Sequence, residues 1–137
     1  MIQSARSQTK PVSRDLKPAL GMRPLIRPEE AASLTGLFKV LANATRLRLL
    51  HALTRRGELC VTDLAEGLGM SPQAVSNQLR SLVDKGILGS RRNGNNVHYR
   101  IVDPCVTSVL DRGWCLAEDS RHRVLGRAGR DGRQRVR

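Results

Sequence analysis

Aromatic side chains are nearly absent from this 137-residue chain: Phe38, Tyr99 and Trp114 are the only three. Binders of single-stranded nucleic acid commonly stack successive bases on several rings, and this composition argues against that class. Long apolar runs are missing as well. No window approaches the ~18 consecutive apolar residues of a membrane span. The N-terminus carries scattered basic residues with no apolar stretch behind them, so it does not read as a secretory signal. The chain reads as cytoplasmic, with no membrane partner. Cysteine is scarce and odd in number, at Cys60, Cys105 and Cys115. In such a chain three thiols suggest a thiol site or three inert residues rather than a disulfide framework. No phosphate loop, dinucleotide fingerprint or nucleophile–base pattern is present, and no enzyme is expected.

Acidic residues are outnumbered two to one. Lys and Arg total 24 against 12 Asp and Glu, for a net charge of +12. The excess lies at the ends. Residues 1–27 carry six Lys or Arg against Asp15, and 121–137 carry seven Arg against Asp131. The stretch 28–120 is almost neutral, with eleven basic and ten acidic side chains. The expected organisation is a basic disordered arm over 1–27, one folded domain over 28–120 and an Arg-rich disordered tail over 121–137. Such arms attract polyanions by releasing counterions, or serve only to keep the chain soluble. A basic DNA-coating protein of the nucleoid type, acting through its arms with no inducer, is one function this charge allows. The near-neutral middle must be judged on its motifs.

Those motifs are helical first. Pro28 with Glu29 and Glu30 suits a first turn, because proline needs no N–H partner there and negative charge complements the dipole. Leu34, Leu37, Phe38 and Leu41 then recur as an apolar stripe. Asn43 is a good N-cap for a second helix with Leu47, Leu50 and Leu53 inward and Gly57 beyond its end. Val61–Leu68 reads as a short third helix closed by Gly69. Ser71-Pro72 opens a fourth, with Val75, Leu79 and Leu82 inward. On another face Gln73, Ser76, Asn77 and Arg80 fall at i, i+3, i+4 and i+7. That polar face suits the major groove, where amides pair with adenine edges and Arg with guanine or phosphate.

Asn93-Gly94 between two strand-like runs, Ile87–Arg92 and Val97–Ile101, signals a hairpin. A hairpin after a recognition helix makes a wing, with Arg91 and Arg92 placed to reach phosphate or the minor groove. A last helix is expected over about 104–117, capped by Asp103. The expected fold class is mainly α with a small β-hairpin. Its order is α-α-α-α-β-β-α, a winged helix-turn-helix.

The strings "LFKVLANATRLRLLHAL", "GELCVTDLAEGLGMSPQAVSNQLRSLVDKGIL" and "RRNGNNVHYRI" resemble the ArsR/SmtB family of bacterial winged-helix repressors, over about residues 32–118. The resemblance implies a homodimer built on the first and last helices. It also implies a palindromic double-stranded DNA operator and release when an inducer binds. In the family a string "ELCVCDL" supplies two thiolates. Here Cys60 is kept and Thr62 stands at the second position. A second family site lies in the closing helix. There this chain offers Asp103-Pro104-Cys105 and, further on, Cys115-Leu116-Ala117-Glu118-Asp119 with His122 beyond, Cys115 falling one residue short of the family's second ligand.

Cys105 and Cys115 are ten residues apart, ~15 Å along one helix. Metal–sulfur bonds are ~2.3 Å, so a shared ion needs Cys105 and Cys115 from opposite subunits, or one of them with Cys60. Asp103 and Glu118 are further donors. Thiolates favour soft ions: As(III), Hg(II), Cd(II), Pb(II), Cu(I) or Zn(II). The same cysteines also suit a redox or persulfide switch with no metal, or serve as small apolar core residues.

Overall fold

The computed structural model describes residues 17–131, with side chains in the last helix through Arg127. The N-terminal part of the expected arm, 1–16, and the last residues of the tail, 132–137, lie outside the described residues. Two compact units divide between Ala42 and Asn43.

The first unit holds a short 3-10 turn at Leu20–Met22 and helix α1, Pro28–Leu41. α1 starts at the expected proline. The Glu30 carboxylate reaches back over the first turn, accepting from the Arg27 backbone N at 2.9 Å and from its Nη2 at 3.0 Å. Val40 and Leu41 are buried, whereas Leu34 and Phe38 of the apolar stripe are exposed.

The second unit contains α2 (Ala44–Arg56), β1 (Glu58–Cys60), α3 (Val61–Leu68), α4 (Pro72–Asp84), β2 (Leu88–Asn93), β3 (Asn96–Ile101) and α5 (Pro104–Asp131). Its core is a cluster of fully buried aliphatics: Leu49, Leu50 and Leu53 from α2, Leu64 from α3, and Val75, Leu79 and Leu82 from α4. Burial of seven such side chains at ~1.5–3 kcal/mol each is the main favourable term holding the three helices together. Leu47, expected inward, is 40% exposed, and Leu49 takes its place.

The helix ends follow the local chemistry. The Asn43 side chain accepts from Arg46 N at 3.0 Å, and Ser71 Oγ from Ala74 N at 3.2 Å. Gly69 closes α3 in the left-handed region at φ 64°, which lets Met70 N bond back to Ala65 O at 3.0 Å. A side chain at that φ is strained, so glycine suits the turn between α3 and α4.

The sheet has one strand more than expected. β2 and β3 form the hairpin, with Asn93 opposite Asn96 and Gly94 at φ 62° in the two-residue turn. β1 adds to the far edge of β3, giving the order β1-β3-β2, all antiparallel. A three-residue strand carries too little alternation to stand out in a sequence. Its pairing partners lie about forty residues away.

The expected disordered tail also needs correction. α5 continues through 121–131 to Asp131, well past the end expected near Ala117. Arg- and Gly-rich composition suggested disorder. Yet that stretch has no proline, and Arg, Ala and Leu are good helix formers that outweigh two glycines.

Candidate nucleic-acid interface and thiol sites

α3 and α4, joined by the Gly69 turn, form a helix-turn-helix. α4 turns Val75, Leu79 and Leu82 into the core, and this sets its opposite face outward. Gln73, Asn77 and Arg80 are exposed there and Ser76 is half-buried. The structure therefore brings all four expected contact residues onto one helix and one side of it. Gln73 Nε2 donates to Asn77 Oδ1 at 3.1 Å. That bond leaves the Gln73 oxygen as an acceptor and the Asn77 nitrogen as a donor, the pair of groups that an adenine edge requires. A residue the sequence did not single out steadies the helix from behind. Arg46 of α2 donates from Nε to Gln78 Oε1 at 2.9 Å, a part-buried bond between α2 and α4.

At the wing, Arg92 is exposed next to the turn. Arg91 is placed differently. Its guanidinium sits on the Glu58 carboxylate of β1, with Nε–Oε1 2.9 Å and Nη2–Oε2 3.2 Å. Hydrogen bonding to Arg91, aided by the positive charges of Arg91, His98 and Arg100, holds the Glu58 carboxyl below its ordinary range. Glu58 in turn raises the Arg91 guanidinium above its own. Two adjacent arginines in sequence thus have different surroundings. β2 alternates its side chains between the two faces of the sheet.

The three cysteines are free thiols on two elements. Cys60 ends β1 and is half-buried; its Sγ donates to Asp63 Oδ2 at 3.2 Å. Cys105 lies in the first turn of α5 and is half-buried, and Cys115 is exposed further along the same helix. Cys115 Sγ approaches Asp119 Oδ2 at 3.9 Å. One continuous helix carries both Cys105 and Cys115, so within one chain they stay apart. Among the described residues no three His, Cys, Asp or Glu side chains gather where a metal ion would sit.

Asp103 and Glu118, expected as further donors, are both engaged. The Asp103 side chain accepts from Cys105 N at 2.8 Å, capping α5 as the sequence suggested. The Glu118 carboxylate accepts from Trp114 Nε1 at 2.8 Å. Asp63 was not singled out, although like Asp119 it stands within one helical turn of a cysteine.

A family model, bacterial regulatory proteins of the arsR family, matches residues 43–90, which span α2 through the start of β2. A solved structure, the antimony-specific transcriptional repressor AntR, is 62% identical with a TM-score of 0.68, covering 78% of this chain and 96% of that one. This chain belongs to the ArsR family. These are transcriptional regulators with an ArsR-type helix-turn-helix, not enzymes. The transcriptional repressor SmtB homolog of Synechocystis is 42% identical over 81 residues, which are 59% of this chain and 61% of that protein. The chain thus spans about three-fifths of that relative's length. A homodimeric winged helix-turn-helix DNA-binding domain from Mycobacterium bovis is 29% identical, with a TM-score of 0.59 over 71% of this chain and 92% of that one. No helix among the described residues is long and apolar enough to cross a membrane.

Proposed function

We propose that this ArsR-family member is a homodimeric repressor of a palindromic duplex operator, released when a trivalent metalloid, antimony(III) or arsenic(III), binds its cysteines. The likeness to an antimony-specific repressor at 62% identity, over 96% of that protein, carries the reading. Base contacts are assigned to Gln73, Ser76, Asn77 and Arg80 of α4, with Arg92 at the wing on phosphate or in the minor groove. Two-fold symmetry would set two such helices one DNA turn apart.

Exposed apolar side chains support the dimer. Leu34 and Phe38 of α1, and Trp114 and Leu116 of α5, are 44–66% exposed in the single chain. Leaving this much apolar surface in water is unfavourable, and a second copy relieves it.

The inducer site is placed at Cys105 of one protomer and Cys115 of the partner subunit, with the reciprocal pair making a second site. Helix geometry supports this: ten residues of α5 separate the thiols by ~15 Å in one chain. The engaged carboxylates support a metalloid. Asp103 caps α5 and Glu118 accepts from Trp114, so each has a structural role within the single chain. Zn(II) usually takes four ligands in a closed site, whereas a soft thiophilic centre is well served by a few thiolates. Binding across α5 would shift the dimer helices, and with them the separation of the two recognition helices.

A DNA-release assay with Cys105→Ser and Cys115→Ser tests the proposal. Each variant should bind the operator yet lose metalloid release, and a mixed dimer carrying one of each should recover part of it. Cys60→Ser should release normally. Wild-type release in both α5 variants would overturn the proposed site.

A further inference from the structure

The base of the wing carries an ion pair that base readout does not use. β1 and β2 are not neighbours, because β3 runs between them. Arg91 of β2 nonetheless reaches Glu58 of β1 through two hydrogen bonds, at 2.9 and 3.2 Å. The register explains how. Arg91 is opposite His98, which is opposite Cys60; Glu58 is opposite Arg100, which is opposite Gly89. Opposed residues share a face of an antiparallel sheet, and so do residues two apart. Glu58, Arg91, His98 and Arg100 therefore lie on one face, with Gly89 beside them. Arg91 crosses the middle strand on that face.

Paired N–H···O bonds fix the orientation of a guanidinium as well as its position. The side chains are 58% and 30% exposed, too wet for the pair to add much to stability. What it does instead is geometric. β1 leads directly into α3, the first helix of the helix-turn-helix, and β2 is the first strand of the wing. The pair ties one to the other across a strand that bonds to both.

We propose that Glu58 and Arg91 are a positioning pair that fixes the wing against the helix-turn-helix, Arg91 acting through Glu58 and not on a DNA phosphate. The proposal rests on the DNA-binding reading above. Arg92, on the opposite face of β2, remains the wing's phosphate contact.

Two double variants conserve net charge and separate positioning from phosphate binding. Glu58→Gln with Arg91→Gln removes the pair; Glu58→Arg with Arg91→Glu reverses it. The duplex probe is a site selected by the wild-type protein from a random pool, and affinity is measured across a salt series. A wild type that selects no site would count against the DNA-binding reading itself.

With two such pairs in a dimer, each worth up to about a factor of five, the Gln/Gln variant should bind more weakly by a factor between about three and 25. Its salt slope should match wild type, and the reversed pair should restore affinity. If Arg91 instead touches phosphate, the reversed pair binds worst, and the slope falls by ~0.9 for each phosphate no longer neutralised. That result would overturn the proposal, as would wild-type affinity in the Gln/Gln variant. Matching thermal melts among the three proteins show that all are folded.

Discussion

At the scale of single residues, location decides role more than residue type does. Arg91 and Arg92 are neighbours in sequence, yet one is bound to Glu58 and the other is exposed near the turn. Their difference has a pH signature. Glu58 is held below its ordinary range in the folded chain, so the pair favours folding above the unfolded carboxyl's pKa. That contribution is lost as pH falls through the lower, folded value. A carbon-detected titration of the Glu58 carboxyl should therefore show a midpoint below that of an unpaired glutamate. Arg91→Ala should move it back up. A Glu58 midpoint indifferent to Arg91→Ala would mean that the bonds do not persist in solution. Cys105 and Cys115 make the same point: they are alike in sequence, but a single helix keeps them apart, and the proposed inducer site therefore draws them from opposite subunits.

The elements were legible where their signals are local. Pro28, Asn43, Ser71 and Gly94 sit at the helix starts and the hairpin turn expected of them, because each acts through bonds within a few residues. β1 escaped notice because its partners are Leu59↔Tyr99 and similar pairs distant in sequence. Glu58–Arg91 escaped for the same reason, since no spacing rule joins residues 33 apart. The far half of α5 was hidden by composition: arginines that signal a disordered tail are also good helix formers.

Two predictions belong to the recognition element. Ser71→Ala removes the α4 cap and should cost about 1 kcal/mol in urea unfolding. A change near zero would show that Ala74 N is equally well served by water. Arg80→Ala should weaken the specific site by about 1–3 kcal/mol if its guanidinium makes a paired base contact. An Arg80→Ala, Asn77→Ala double variant that binds the selected site as well as wild type would remove α4 from base readout.

At the scale of the whole molecule, the proposed base readout and most of the charge excess lie in different parts of the chain. Residues 1–16 and 132–137 contribute six Lys or Arg and a single Asp, while the proposed recognition face lies on α4. Deleting both ends should lower affinity for random DNA and flatten the salt dependence, as fewer counterions are released. Preference for the selected site over random DNA should survive, because base readout supplies sequence discrimination. A truncated protein that loses that preference would place specificity in the arms.

The most direct measurement is fluorescence anisotropy of the labelled selected site bound to the full-length dimer, titrated with antimony(III) and, separately, arsenic(III). Moving a two-state dimer from 1:99 to 99:1 requires the ligand to prefer the released form by about 5.5 kcal/mol. Coordination by thiolates from two subunits supplies that preference when the released geometry brings them together and the DNA-bound geometry does not. The predicted result is release from the wild type and from Cys60→Ser, and retention of DNA by Cys105→Ser and by Cys115→Ser. Release from all four proteins at the same metalloid concentration would contradict a cross-subunit thiol site on α5.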